Sequence, residues 1–366
     1  MKVDKSTWSS IPFTECVRTV KVNDAVQKKD YKTKGLYPII SQEKEFISGY
    51  CDNVSNLNKD FGNLIIFGDH TRIIKFIDFD FCVGADGVKV LRPFGHLDAK
   101  YLFYFLRWAD IPSNGYSRHF KFLKELIIPH PPIDAQYDIA SELDALQEVI
   151  DGYRDQIADL DALAQSIFLD TFGDPITNSK GWEIKRLDEV CDSQLGKMIN
   201  QQIQTGELKP FLCAVNVLDN NFYVDEIKKF RLKNDEEEKY RVLPGDLMIC
   251  EGGDAGRCAI WNKNFEIYYQ KSVHRVRSSQ LSMQYLMFVL RIYKQQGILA
   301  EKSKGATIQH LTRKSLNQLL IMIPPVTLQN SFTEQFVAIE DQKEMLRQQL
   351  ADAEMLMAER MQYYFS

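Results

Sequence analysis

Leu123-Lys124-Glu125-Leu126-Ile127-Ile128-Pro129-His130-Pro131-Pro132-Ile133-Asp134-Ala135-Gln136 returns as Leu316-Asn317-Gln318-Leu319-Leu320-Ile321-Met322-Ile323-Pro324-Pro325-Val326-Thr327-Leu328-Gln329, 193 positions later. Pro can continue neither a helix interior nor a central strand. Each copy therefore marks a break, and a stretch with helical periodicity follows it. The copies also match further upstream. Residues 8–15 align with 182–189, 63–65 with 246–248, and 101–106 with 285–290. The offset drifts from 174 to 193 between these anchors, which places insertions in the loops. A repeat of this length is a whole domain rather than a solenoid unit. Two like modules on one chain suit a target that comes in two halves, and duplex DNA is the obvious one.

Each copy has one plan. A globular region rich in short β-type runs comes first, such as Leu64-Ile65-Ile66-Phe67, Ile73-Ile74-Lys75-Phe76-Ile77 and Ala259-Ile260-Trp261. An aromatic-aliphatic helix is predicted near residues 98–109, with its partner near 282–295. The long helices carry a heptad seam. In the first it runs through Ile139, Leu143, Leu146, Ile150, Tyr153, Ile157, Leu160, Ala164 and Ile167. In the second it runs through Phe332, Phe336, Ile339, Lys343, Leu346, Leu350, Ala353, Met357 and Arg360, where Lys343 and Arg360 are polar intruders that help fix register. Phe365 stands where the first copy has Phe172. The resulting organisation is a globular region 1–132, a helix 133–172, a linker 173–181, a second globular region 182–325 and a second helix 326–366.

Composition fits a globular chain of two to three domains: 366 residues, 45% hydrophobic and 26% charged. No apolar run reaches the ~18–20 residues of a membrane span. The N-terminus lacks a signal-peptide core, so a cytoplasmic location is expected. Seven cysteines without a C-x-x-C pair read as reduced, mostly buried thiols, and no zinc site is expected. The net charge is -5, but residues 134–172 carry -9 and residues 327–366 carry -4, leaving +8 for the rest. Acidic helices thus mask basic globular regions, which fits nucleic-acid contact by the globular parts.

Catalytic constellations are missing from the sequence. It holds no phosphate loop, no dinucleotide fingerprint, no nucleophile elbow and no H-E-x-x-H. Asp246 and Glu251 superficially resemble a nuclease carboxylate pair, but Gly253 stands where that site needs Lys. Asp69-His70 and Asp78-Phe79-Asp80 read as turn residues. Residues suited to DNA lie elsewhere. Gly115-Tyr116-Ser117-Arg118-His119-Phe120-Lys121 and residues 302–314 sit just before the Pro-Pro stretch in their respective copies. Their candidates are Arg118, His119 and Lys121 in the first, and Lys304, Gln309, His310 and Arg313 in the second. Arg and Lys neutralise phosphates or fork onto guanine, Gln pairs with adenine, and Gly115 and Gly305 allow close backbone approach. Further candidates are Arg72 and Lys75 on a strand, Gln194 and Lys197 in an early loop, Arg257 after a Gly-rich turn, and Arg275 and Arg277 sharing one strand face. For each, a plain surface charge is the competing reading.

The order L-x-x-L-x-I-P-x-P-P-x-x-x-Q, a heptad helix ending Ser166-x-Phe168-x-x-x-Phe172-Gly173-Asp174, then the whole again, resembles the DNA-specificity (S) subunit of type I restriction-modification systems. Residues 182–190 are similar to that family's domain start, and 305–311 to its pre-helix loop. Residues 8–15 match more loosely, and Ile323 stands where the first copy has His130. The resemblance implies an α+β fold. Two globular α/β target-recognition domains are joined by two long antiparallel helices forming a coiled coil, with a pseudo-twofold internal repeat. It implies that each domain reads half of a bipartite asymmetric site, while the helices space the readers and offer surfaces to two methyltransferase (modification) subunits. Restriction subunits with translocase and nuclease activity join the complex. S-adenosylmethionine, ATP and Mg are then expected on the partners, with no cofactor, metal or catalysis on this chain. Two other readings stay open at this point: a stand-alone DNA nuclease or methyltransferase, and a coiled-coil interaction protein without DNA binding.

Overall fold

In the computed structural model the chain forms two compact units, Met1–Gln156 with Leu346–Ser366, and Ile157–Met345. The structure describes residues 4–113, 115, 117–199, 205–302 and 310–366. Two 40-residue helices, Ile133–Phe172 and Val326–Phe365, each contribute one stretch to either unit.

The first unit opens with Ser9–Pro12 paired antiparallel to Ile127–His130, the apolar half of the repeated stretch. Its main sheet runs Val17–Thr19, Val88–Pro93, Leu64–Gly68, Ile74–Ile77 in spatial order. Leu64–Gly68 is a continuous apolar run because it is buried along its whole length. A second sheet runs Gly49–Cys51, Tyr37–Ile40, Phe81–Val83, Leu57–Asn58, with one parallel pair at its centre. The second unit repeats this plan. Glu183–Arg186 pairs with Leu320–Ile323. The main sheet runs Asp192–Leu195, Val273–Arg277, Leu247–Cys250, Cys258–Ile260. The smaller sheet runs Lys228–Leu232, Glu207–Leu212, Tyr268–Tyr269, again with one parallel pair. The duplication is therefore one of topology as well as of motif.

The repeated residues have a physical reason. Gln136 and Gln329 are both fully buried, and each works as a bracket. The Gln136 amide donates to the Pro131 carbonyl at 2.9 Å and accepts from the Asp98 N–H at 2.8 Å. Gln329 does the same with Pro324 at 2.9 Å and the Ser282 N–H at 2.8 Å. Asp98 and Ser282 are in turn the N-caps of the helices Ala99–Trp108 and Met283–Gln295. Tyr101 and Tyr285 on those helices donate to the carbonyls of Pro129 and Met322. Each Pro-Pro stretch is thereby tied to the aromatic helix of its own unit, and every buried amide atom in the bracket has a partner.

Within each unit the two long helices pack side by side in opposite directions. In the first unit Glu142 meets Arg360 while Arg154 meets Glu354. In the second Asp161 meets Lys343. Of the apolar seam residues, Ile139, Leu143, Ile150, Ala164, Phe332, Phe336, Ile339 and Met357 are buried. Leu146, Ile157, Leu160, Leu346 and Leu350 are half-buried. The fully buried positions also lie against their unit's globular part, since they share its core cluster. Phe365 packs on Tyr101 with centroids 5.4 Å apart, and Phe172 packs on Tyr285 at 4.8 Å. Each fully buried Phe stabilises its core by about 1.5–3 kcal/mol. Gly173, at φ +76, then ends the first long helix in the left-handed conformation that favours glycine.

Both polar intruders are satisfied. Lys343 is only 3% exposed, and Asp161 and Glu340 each accept from its ammonium at 2.7 Å. Arg360 binds Glu142, and the Tyr364 hydroxyl donates to the same carboxylate at 2.6 Å. Burial pushes the Glu142 carboxyl up, but the hydrogen bonds from Arg360 and Tyr364 outweigh it and hold the group at about 2.

Candidate nucleic-acid interface

In the first unit four cations gather around a short aromatic helix, Phe120–Leu123. Phe120 is anchored by edge and tilted contacts, both at 6.4 Å, to Phe13 and Phe67. The ammonium of Lys124 lies 5.4 Å from the Phe120 ring centre and that of Lys89 lies 5.8 Å from it. The Lys121 ammonium sits 4.9 Å from the Phe122 ring. Arg118 is exposed immediately before them. None of the four has an ion-pair partner among the described residues. The ring faces hold the lysines at a modest gain of about 0.5–1 kcal/mol each. Their charge stays available to an external anion such as a phosphate. Gly115 is exposed at φ +66, a conformation that favours glycine. Lys89 and Lys124 are missing from the sequence-derived candidates. The alternation Phe120-Lys121-Phe122-Leu123-Lys124 signals the second of them, whereas Lys89 arrives from a strand and carries no local signal.

The other first-unit candidates need correction. Lys75 is on its strand but only 4% exposed, and its ammonium donates to the carbonyls of Glu45 and Phe46. Burial lowers its affinity for the proton. His119 is 1% exposed, so it too is internal. Arg72 lies in the turn before the strand, at φ +62, and its guanidinium donates to the Ile111 carbonyl at 2.8 Å. It is exposed, but that bond directs it along the protein surface.

In the second unit the strand-borne cations turn inward. Arg275 is 4% exposed and donates to the carbonyls of Lys239 and Arg241 and to the Gln194 side chain. Arg277 shares its face, reaching the same Arg241 carbonyl, and forks onto Asp246 at 2.5 and 2.7 Å. Asp246 is thereby a buried ion-pair partner, which explains this carboxylate without a nuclease. Gln194 lies on a strand, Asp192–Leu195, and not in a loop. Lys197 pairs with Glu236 at 2.5 Å and is largely covered. Arg257 donates to the Ala214 carbonyl at 2.8 Å. Their bonds run within the domain, and Arg275, the most deeply buried of them, must be paired or hydrogen-bonded. Exposed instead are His310, Arg313 and Lys271, the last missed by sequence reasoning. Burial raises the Glu251 carboxyl, and the charges of His310 and Lys271 oppose that shift. Lys304 and Gln309 lie outside the described residues, as does Gly305.

No group of three His, Cys, Asp or Glu side chains that could hold a metal occurs among the described residues. No helix among them is long and apolar enough to cross a membrane. Cys16, Cys51, Cys82, Cys250 and Cys258 are free and buried, and Cys191 and Cys213 are free and half-buried.

A pair of sheets is built twice on one plan, and in each unit a glutamine of the long helix ties the Pro-Pro stretch to the aromatic helix. The chain belongs to the family of the type I restriction modification DNA specificity domain, whose profile matches residues 7–160 and 179–354. Among solved structures, the chain is similar to the S subunit of a type I restriction-modification system from M. genitalium. That match has 14% identity and a TM-score of 0.63, covering 100% of this chain and 98% of that one. It is also similar to a chain from a study of complex assembly and conformational transition of the type I R-M system. There the identity is 18% and the TM-score 0.52, over 97% and 96% of the two chains. A sequence comparison with curated proteins finds no match. The protein is thus a type I restriction-modification specificity subunit by family, and its work is DNA sequence recognition.

Proposed function

We propose that this chain reads a bipartite, asymmetric DNA site, one half with each globular unit. As the non-catalytic member of its complex, it directs adenine methylation and restriction by partner subunits. The observation that carries this reading is the pairing of one repeated topology with two unlike cationic surfaces. Lys89, Arg118, Lys121 and Lys124 flank Phe120 in one unit, and Lys271, His310 and Arg313 stand exposed in the other. Same scaffold with different surface is what two unequal half-sites require. Phosphate contacts from the lysines set register, and neighbouring side chains read base edges. Two modification subunits would bind S-adenosylmethionine and hold the flipped adenine. Restriction subunits would bind ATP and Mg. The acidic stretches 134–172 and 327–366 keep the long helices off the duplex, leaving their surfaces to protein partners.

The test is duplex binding by the chain assembled with its modification subunits. Affinity is expected to fall steeply with salt and to require both halves of one divided sequence. Salt-insensitive binding, or equal binding to unrelated duplexes, contradicts the reading.

A further inference from the structure

The candidate segments of the two units are fastened at one corresponding place, and a buried histidine makes the fastening in both. In the first unit Asp69 follows the central strand Leu64–Gly68. Its carbonyl accepts from the His119 N–H at 2.8 Å and pairs with His119 Nδ1 at 2.9 Å. Its carboxylate accepts from the Phe120 N–H at 2.8 Å, so Asp69 stands at the start of the short helix that carries Lys121. The neighbouring His70 ring meets the Ser117 carbonyl at 3.3 Å. In the second unit Glu251 follows the central strand Leu247–Cys250. Its carbonyl accepts from the Leu311 N–H at 2.7 Å. His274, on the adjacent strand and fully buried, donates from Nε2 to the Leu311 carbonyl at 2.8 Å. In one unit the histidine reaches from the segment to the strand end, and in the other from the sheet to the segment.

The geometry points to His119 and His274 as positioning residues. They touch no DNA, and they fix where Arg118 and Lys121, and separately His310 and Arg313, stand against it. This rests on the function proposed above and adds to it the residues through which each half-site's reading is tuned alone. Burial holds His274 at about 4, so its ring is neutral at neutral pH. The Leu311 carbonyl then keeps the ring proton on Nε2. A side chain that cannot donate there leaves that carbonyl unpaired and frees the root of the segment, and sub-ångström displacement is enough to spoil base-edge hydrogen bonds.

The experiment measures methylation rates of the full complex on its own site and on single-mismatch sites in each half. His274→Leu is expected to lower discrimination roughly tenfold in one half only. His274→Gln, whose amide reaches the Nε2 position, is expected to restore it. His119→Leu is expected to affect the other half alone, with His119→Asn, which mimics Nδ1, restoring it. If a Leu variant does not fold, His274→Asn and His119→Gln, whose amides miss the required positions, replace it with the same expectation. Unchanged discrimination, loss in both halves together, or failure of Gln and Asn to restore would overturn the assignment. A wild-type complex that discriminates in neither half overturns the function proposed above and not the latch.

Discussion

The two units share a sheet order, a parallel strand pair and a glutamine bracket, yet they spend their cations differently. In the first unit Lys89, Lys121 and Lys124 lie on aromatic faces with their charge unpaired among the described residues. In the second, Arg275 and Arg277 are locked onto carbonyls and Asp246. The difference teaches that the scaffold and the reading surface are separable. Core, bracket and seam repeat, whereas surface charge does not. A basic residue on a strand is as often a clamp for the domain as a contact for its target.

That comparison can be strained most at the cores. Phe172→Ala and Phe365→Ala should each cost about 3–5 kcal/mol, read by chemical denaturation. Each should first loosen its own unit by hydrogen exchange, and equal loosening of both would argue against separate cores. Next in size, Arg275→Ala should destabilise the fold by about 1–3 kcal/mol, because it strips the donor from buried acceptors. Replacing Lys89, Lys121 and Lys124 together with Ala should leave denaturation nearly unchanged. It should reduce the salt dependence of DNA binding by roughly two to three phosphate contacts' worth. If the triple variant unfolds and Arg275→Ala does not, the division into clamps and contacts is reversed. Lys343→Met should destabilise the fold by about 1–3 kcal/mol, because it leaves the carboxylates of Asp161 and Glu340 without their shared cation.

Two further effects follow pH. His274 is held at about 4 against its ordinary 6.5, so its contribution is complete above pH 6.5 and is lost as pH falls toward 4. Glu142, held at about 2 against 4.5, contributes fully above pH 4.5 and loses that stability as pH falls toward 2. Melting of His274→Gln should lack the first decline, and Glu142→Gln the second.

Much of the fold is legible in the sequence because periodicity is a local property. The seam from Ile139 to Ile167, the aromatic helices and the Pro-Pro breaks can be read residue by residue. Even Lys343 and Arg360 announce themselves as intruders. The site is less legible because a side chain's availability depends on distant partners. Lys75 is covered by carbonyls some 30 positions away, and Arg277 finds Asp246 at a separation of 31. Lys89 joins Phe120 only through strand pairing. His119 looked like a contact by its neighbours Arg118 and Lys121, and its burial turns it into an anchor.

The central claim is that each unit reads one half of a divided DNA site. Methylome sequencing tests it most directly, in cells carrying this chain with its methyltransferase partner, before and after residues 182–325 are exchanged for another such domain. The expected result is a two-part adenine-methylated motif in which the exchange rewrites one half and leaves the other intact. An undivided motif, or a change in both halves, would contradict it.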